Sequence, residues 1–473
     1  MKKNAFLCLV LVLVLGLVSD DVARADPCDC EVSFAHAQQV VETAYLGYAH
    51  LTEANDRAAY QRHRDRYAAD AAKQAPETCT AWLQGYLDFF DDGHLFVIEQ
   101  PVYTPDQETA FEAEVRAHVP GEAALWRTLE RQATDPLTGW WYDAQSLMAV
   151  IQEGDDYVAY VVRSKQPSMQ GIERKAVWRG TPTRLEGTYF SDSHGPRHIR
   201  GGLYKQQQQL VWTGGIVWAR LPEVPSSSSG LPADWPDPAL PTISNVDSNT
   251  MLLTIPSFLV DASTFNEILL ARVDELLGAH RVVIDIRGNT GGNALYFSFL
   301  GAYAERPLPP SQGEVWASPY TLEYYRARAG DDALYADVAQ RIEEHMGEVI
   351  PGPAYPGRKY DEPMGQVQRV AILMDEGCMS AAESFVLHSQ AVSPRVTTFG
   401  RATAGVIDYT SVHSFLLDGG GSRRLYMGIP TSSLHEDIPQ RGYNATGIVP
   451  QVPLLLDHDP VAEILRWWDQ NAG

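Results

Sequence analysis

Apolar residues fall at three- and four-residue steps through residues 33–93, in FAHAQQVVETAYLGYAHL, DRAAYQRHRDRYAADAAKQA and CTAWLQGYLDFF. That spacing lays one apolar stripe along each segment and predicts a short helical bundle with an alanine-rich middle. DDGHLFVIEQPVY breaks the period at Asp-Gly and resumes with strand-forming residues. A further helix is expected from Asp106 to Ala133. After DPLTGWW the period shortens to two, in QSLMAVIQE, DYVAYVVRS, KAVWRG, TRLEGTYFS and QQLVWTGGIVWARL. Turn residues separate these runs at the spacing of a small β-barrel or sandwich. The aromatic residues crowded into them read first as a packed core and second as a module that grips a peptide or ligand.

EVPSSSSGLPADWPDPALPT, residues 223–242, is rich in Ser, Pro and Gly and resists both helix and sheet, so it is expected to be a linker. Beyond it the pattern becomes α/β. TMLLTIPSF reads as a strand and STFNEILLARVDELLGAH as an amphipathic helix. RVVIDIRGN and VQRVAILMDEG are continuous apolar runs of the kind buried parallel strands show, and SAAESFVLHSQA starts a helix at Ser380. Strand, helix, strand, strand, helix implies crossover units on a largely parallel sheet. The expectation is a multidomain α+β chain: a helical region at 26–94, a mixed then mostly β region at 95–222, the linker at 223–242 and an α/β core at 243–473.

The first 25 residues change the picture of where the chain works. A basic start, an apolar stretch from Ala5 to Val18 and the small residues of ARA predict a secretory signal peptide cut before Asp26, near Ala25, and so a secreted or periplasmic protein. No later segment reaches membrane-spanning length. Export favours cysteine pairing, and the expected bridge joins Cys79 to Cys28 or Cys30, with one of the three left over. The formal net charge of −23 argues against a nucleic-acid partner, whose phosphates need clustered Lys and Arg.

Two strand ends can carry chemistry. VVIDIRGNTGGNA delivers Asp285 and Arg287 and then Gly288, Asn289, Gly291 and Gly292; paired glycines let backbone N–H groups approach a ligand, as an oxyanion site requires. The sequence fits neither a phosphate-binding GK[ST] loop nor a dinucleotide fingerprint. DEGCMSAAESF places Ser380 where a strand ends and a helix begins. Ser380 there is a natural helix cap, with Glu383 completing a capping box. The same place sits at the positive end of the helix beside free N–H groups, which suits a nucleophile. Cys378, two residues earlier, reads as a small core residue.

These strand ends, with TTFGRATAG, LLDGGG and GIVPQV following in order, resemble the S41 serine peptidases, the C-terminal processing (tail-specific) peptidases and their tricorn-core and retinoid-binding-protein relatives. The resemblance covers about residues 244–457. It implies a ClpP/crotonase-like core of stacked β-β-α units, Ser380 as nucleophile, and an oxyanion hole from the N–H groups of Gly292 and Ala381. One branch of the family activates its serine with a Lys in a TxGKG segment. Val406 stands at that position here and no Lys follows Lys359. The other branch uses a His in a D-G/P-H motif at the end of the helical region, which DDGHLF matches with Asp92, Gly93 and His94. His388, His413 and His435 are the competitors. The residue that orients the His is a Glu in that branch. Asn444 fills its place here, with Gln451 for a following Asp, and Glu436 is the alternative. The family's PDZ domain has no counterpart in residues 95–222.

The resemblance therefore implies a serine endopeptidase acting on proteins or peptides, with catalytic residues Ser380, His94, and Asn444 or Glu436, needing no cofactor and no metal. The other class of function is a catalytically weak protein of the same fold that binds peptides or apolar ligands. Oligomeric state is not legible.

Overall fold

A computed structural model describes residues 28–471 apart from 52–53, 170, 206–207, 222–230, 233, 331, 361–362, 439, 441, 445 and 457. The expected signal peptide and much of the expected linker lie outside the described residues. Four helices come first: α1 (Cys30–Ala44), α2 (Leu46–Ala49), α3 (Ala54–Asp70) and α4 (Cys79–Leu87). Asp29 caps α1 through its side chain, and a disulfide between Cys30 and Cys79 ties α1 to α4. Cys28 is the cysteine left over.

Strand β1 (Phe96–Glu99) does not join the mostly β region that follows it. It pairs antiparallel with a strand near the other end of the chain, Phe96 opposite Gly428, and a β-carbon on Gly428 would collide with the Phe96 ring. Val40, Leu83, Tyr86 and Val97 share one core with Tyr409, Met427 and Ile429. The helical region is thus no self-contained bundle. Its apolar faces are covered by strands more than three hundred residues on.

The single helix expected over 106–133 is two, α5 (Pro105–Arg116) and α6 (Glu122–Arg131). His118 at φ 56°, then Pro120 and Gly121, interrupt it: Pro has no N–H to donate and restrains the residue before it. Eight strands then form a closed antiparallel meander: β2 (Gly139–Tyr142), β3 (Ser146–Glu153), β4 (Asp156–Ser164), β5 (Glu173–Thr181), β6 (Arg184–Phe190), β7 (Pro196–Tyr204), β8 (Gln209–Trp212) and β9 (Ile216–Arg220). Closure of β2 on β9 makes this a barrel, not a sandwich, and leaves no edge exposed. Alternate residues point inward, and Trp178, Trp212 and Trp218 meet edge to face at 5.1–6.1 Å in a fully buried trio.

The remaining chain builds a six-stranded sheet. Strand β10 (Thr242–Asn245) is antiparallel to β11 (Thr250–Thr254). The segment expected as one helix after it is two, α7 (Ala262–Leu270) and α8 (Val273–Gly278), and leads to β12 (Arg281–Asp285). An excursion follows, the hairpin β13 (Ser311–Trp316) and β14 (Val349–Tyr355) enclosing α9 (Pro319–Ala329) and α10 (Ala333–Glu344). The sheet resumes with β15 (Arg369–Met374), α11 (Ala381–Val392) and β16 (Val396–Gly400). Strands β17 (Tyr409–Leu416) and β18 (Leu425–Ser433) make, with β1, the three-stranded sheet that covers the N-terminal helices. Strand β19 (Val452–Pro453) and α12 (Pro460–Gln470) complete the chain. From β11 through β12, β15 and β16 to β19 all neighbours are parallel, so the exits of β12 and β15 lie side by side. Among the described residues no helix is long and apolar enough to cross a membrane.

Candidate active site

The loops leaving β12 and β15 meet at Ser380. Asn289, fully buried, pins the first loop: its Nδ2 donates to the Ile255 carbonyl at 2.9 Å and its Oδ1 accepts the Gly291 N–H at 2.8 Å. The Asn289 carbonyl accepts the N–H of Met379 at 3.0 Å, which joins the two loops directly. Asp375, at the β15 exit, accepts the N–H groups of Gly288 at 2.8 Å and Gly377 at 3.0 Å. Cys378 is buried and its Sγ lies 3.0 Å from the Ile286 carbonyl; burial pushes its thiol well above the ordinary range, which suits a core residue.

Ser380 adopts φ 55° and ψ −119°, a conformation disfavoured for any residue with a β-carbon and worth about 1–3 kcal/mol of strain. Two acceptors hold its N–H, the Val406 carbonyl at 3.1 Å and the Glu383 carboxylate at 3.0 Å. Glu383 is fully buried. Its Oε1 also takes the Thr403 hydroxyl at 2.5 Å and the Gly405 N–H at 2.8 Å, and its Oε2 the Val406 N–H at 2.9 Å. Burial pushes the Glu383 carboxyl up, and these donors act against the shift. Glu383 therefore organises the whole 403–406 segment as well as the start of α11.

Gly291 is required to be glycine. With φ 93°, a β-carbon on it would stand 2.8 Å from the Ser380 Cβ and 2.9 Å from the Ala381 nitrogen. Gly292, at φ 129°, packs its α-carbon on the backbone of Phe258. Neither the Gly292 nor the Ala381 N–H has a hydrogen-bond acceptor among the described residues. The first turn of α11 thus offers the N–H of its first residue, Ala381, beside a half-buried hydroxyl.

His94 stands across Val406 from this turn. A β-carbon on Gly93 would lie 2.9 Å from the Val406 methyl groups, while the Val406 carbonyl holds the Ser380 N–H. The Nδ1 of His94 lies 2.6 Å from the carbonyl of Tyr409. A carbonyl only accepts, so Nδ1 carries the proton, and in the neutral ring the lone pair falls on Nε2. The His94 backbone N–H donates to the buried carboxylate of Asp92 at 2.9 Å, and the Tyr45 hydroxyl donates to its other oxygen at 2.8 Å. Burial pushes the Asp92 carboxyl up, and His94 opposes that shift most.

Neither residue expected to orient His94 touches it. Glu436 is exposed and makes no hydrogen bond among the described residues. The Asn444 N–H donates at 3.0 Å to Asp408, within a segment that packs on Gly405, and its Oδ1 is buried without a hydrogen-bond partner among the described residues. The orienting group is the Tyr409 carbonyl. Sequence reading missed it because any residue can supply a backbone carbonyl. The competing histidines are engaged elsewhere: His388 with the Tyr296 hydroxyl, His413 beside Glu323, and His435 with the N–H of Asp437.

Comparison with known proteins agrees with the motifs. Residues 249–454 match the model of peptidase family S41. No curated protein matches the chain. Similar solved structures include mature CPAF complexed with lactacystin (12% identity, 93% of this chain and 97% of that one, TM-score 0.44) and the photosystem II D1 C-terminal processing protease (12%, 90% and 93%, 0.36). A lipoprotein from Streptococcus agalactiae is a third (12%, 95% and 99%, 0.41). Residues 249–454, which carry both strand exits and Ser380, are thus similar to peptidase family S41, a family of serine-type peptidases.

Proposed function

We propose that the protein is an exported serine endopeptidase with a ClpP/crotonase-like core, in which Ser380 is the nucleophile and His94 the general base. The observation that carries this reading is the strained backbone of Ser380, which stands against Gly291 where no β-carbon fits. Strain of this kind persists where surrounding structure enforces it, as at nucleophile turns. The Ser380 Oγ bonds to the substrate carbonyl carbon while its proton passes to His94 Nε2. The resulting oxyanion takes the N–H groups of Gly292 and Ala381. His94 then returns the proton to the leaving amine, and water repeats the sequence to release the acyl group.

The Tyr409 carbonyl supplies the orientation of His94 but no negative charge. Buried Asp92 supplies charge from the backbone side, and Asn444 Oδ1 is an acceptor for a polar group entering the site. The Cys30–Cys79 bridge supports an oxidising compartment. A fluorophosphonate probe tests the assignment. Labelling of the wild type that is lost in Ser380→Ala and strongly slowed in His94→Ala, together with cleavage of a disordered protein such as casein, is expected. A folded wild type that neither labels nor cleaves between pH 5 and 9 would refute it and favour a peptide-binding protein.

A further inference from the structure

The barrel stands directly behind the two loops that carry Gly291 and Ser380. The end of β7 and the residue after it, Tyr204 and Lys205, enter between the loops. A β-carbon on Gly377 would lie 2.7 Å from the Tyr204 ring and one on Gly288 3.2 Å from its Cβ, so both loops are glycine where the tyrosine wedges in. Lys205, at φ 52°, donates its N–H to Asp375 at 3.3 Å, the carboxylate that already holds Gly288 and Gly377. Its ammonium lies 3.6 Å from Asp285, which also pairs with Arg287 at 2.8 Å.

The charges in this cluster depend on the barrel. The core's own strand ends bury two carboxylates, Asp285 and Asp375, against one guanidinium, Arg287. Among the described residues Lys205 adds a second cation, and it comes from the barrel. Buried carboxylates left without a counter-charge either take up protons or draw in water, and both would loosen the loops that those carboxylates hold. Gly288 leads within three residues to Gly291, and Asp375 within five to Ser380.

We propose that the barrel is an activating module of the peptidase and that Lys205 is the positioning residue through which it acts. Docked, Tyr204 and Lys205 hold the Gly288–Gly292 turn and the Asp375–Ser380 loop in register with each other; displaced, the two loops lose their common anchor and the oxyanion donors no longer converge with the hydroxyl. This rests on the serine peptidase reading above. The ammonium is part-exposed beside a cleft of about 1020 Å³, which leaves room for a substituted side chain.

The test compares Lys205→Met, Lys205→Arg and Tyr204→Ala with the wild type by fluorophosphonate acylation rate, by kcat and KM on casein, and by melting temperature. Small misplacements of reacting groups cost about ten- to hundredfold. Lys205→Met is expected to lose that much in acylation rate and kcat with KM within about twofold. Lys205→Arg is expected to recover most of the rate, and Tyr204→Ala to lose rate while keeping the charge. Wild-type acylation rates in both Lys205→Met and Tyr204→Ala would overturn the proposal. So would equal losses in the Met and Arg variants that merely track a lowered melting temperature. If Lys205→Met does not fold, Tyr204→Ala decides by the same criteria. A wild type that never labels sinks the serine peptidase reading instead, and this proposal with it.

Discussion

Glu383→Gln is a nearly isosteric change that should disable the site from beneath. The carboxylate receives four donors, two at each oxygen. A glutamine keeps one oxygen and turns an NH2 group toward the other pair. With its oxygen toward Ser380 and Val406, it loses the Gly405 N–H, and the Thr403 hydroxyl must rotate to accept. With its oxygen toward Thr403 and Gly405, the N–H groups of Ser380 and Val406 both face a donor. Either way about two charge-assisted bonds are lost, at roughly 1.5–3 kcal/mol each. Burial of the charge already opposes them, as the upward shift of the Glu383 carboxyl shows, so the net cost should be about 3 kcal/mol. For a cooperative unit of this size that corresponds to a fall in melting temperature of roughly 6–12 °C. Acylation of Ser380 should fall by more than about tenfold, because the donor to Glu383 is the Ser380 backbone itself. The sign with pH follows: a carboxyl raised on folding contributes stability that is present below its ordinary value near 4.5 and lost as pH rises through the raised value. The difference between wild type and Glu383→Gln should therefore be pH-dependent there. Calorimetry across pH and probe labelling measure all three quantities. A melting temperature within 1 °C of wild type with unchanged labelling would refute the account of Glu383 as the organiser of the 403–406 segment.

Gly291→Ala should cost about 2–4 kcal/mol and abolish labelling, since its β-carbon would meet Met379 O at 2.7 Å and Ser380 Cβ at 2.8 Å. Gly154→Ala is the control: it too has positive φ, but its β-carbon meets nothing, so about 1 kcal/mol and unchanged labelling are expected, and equal effects at both positions would count against the steric argument. Burial holds His388 down to about 4 against an ordinary value near 6.5. Its contribution is complete above 6.5 and is lost as pH falls toward 4, because the unfolded chain takes up a proton the folded one refuses. The loss totals about 3 kcal/mol, so between pH 7 and 4.5 the urea midpoint of the wild type should fall relative to that of His388→Gln; parallel curves would contradict this.

What the sequence made legible was what repeats or punctuates. Period-two runs with turn residues between them marked the barrel strands. Apolar runs ending in glycines marked β12 and β15, and Ser380 stood out at a strand-to-helix junction. The helices at 30–87 were legible as helices but not by their partner: a stripe of apolar residues says which face is covered, not that Met427 and Ile429 cover it. The continuous helix expected over 106–133 failed because composition outweighed Pro120 and Gly121 in the reading. At the site, side chains with chemical character and the N–H groups beside paired glycines were legible, and the acceptor of His94 was not. Tyr409 acts through a carbonyl, and Lys205, remote in sequence from both loops, carries no local pattern at all.

The pairing of β1 with β18 bears on the order in which the chain matures. The strand that follows His94 has no partner until residues 425–428 exist, and neither the hydrophobic face of the N-terminal helices nor the acceptor of His94 Nδ1 is in place before then. Contacts this far apart form late and slowly. A nascent or partly threaded chain would thus carry its serine loop and its histidine on unconnected pieces. The last strands to emerge would complete the fold and assemble the site in the same step, so that a potentially destructive activity would be withheld from the cell while the protein is being made.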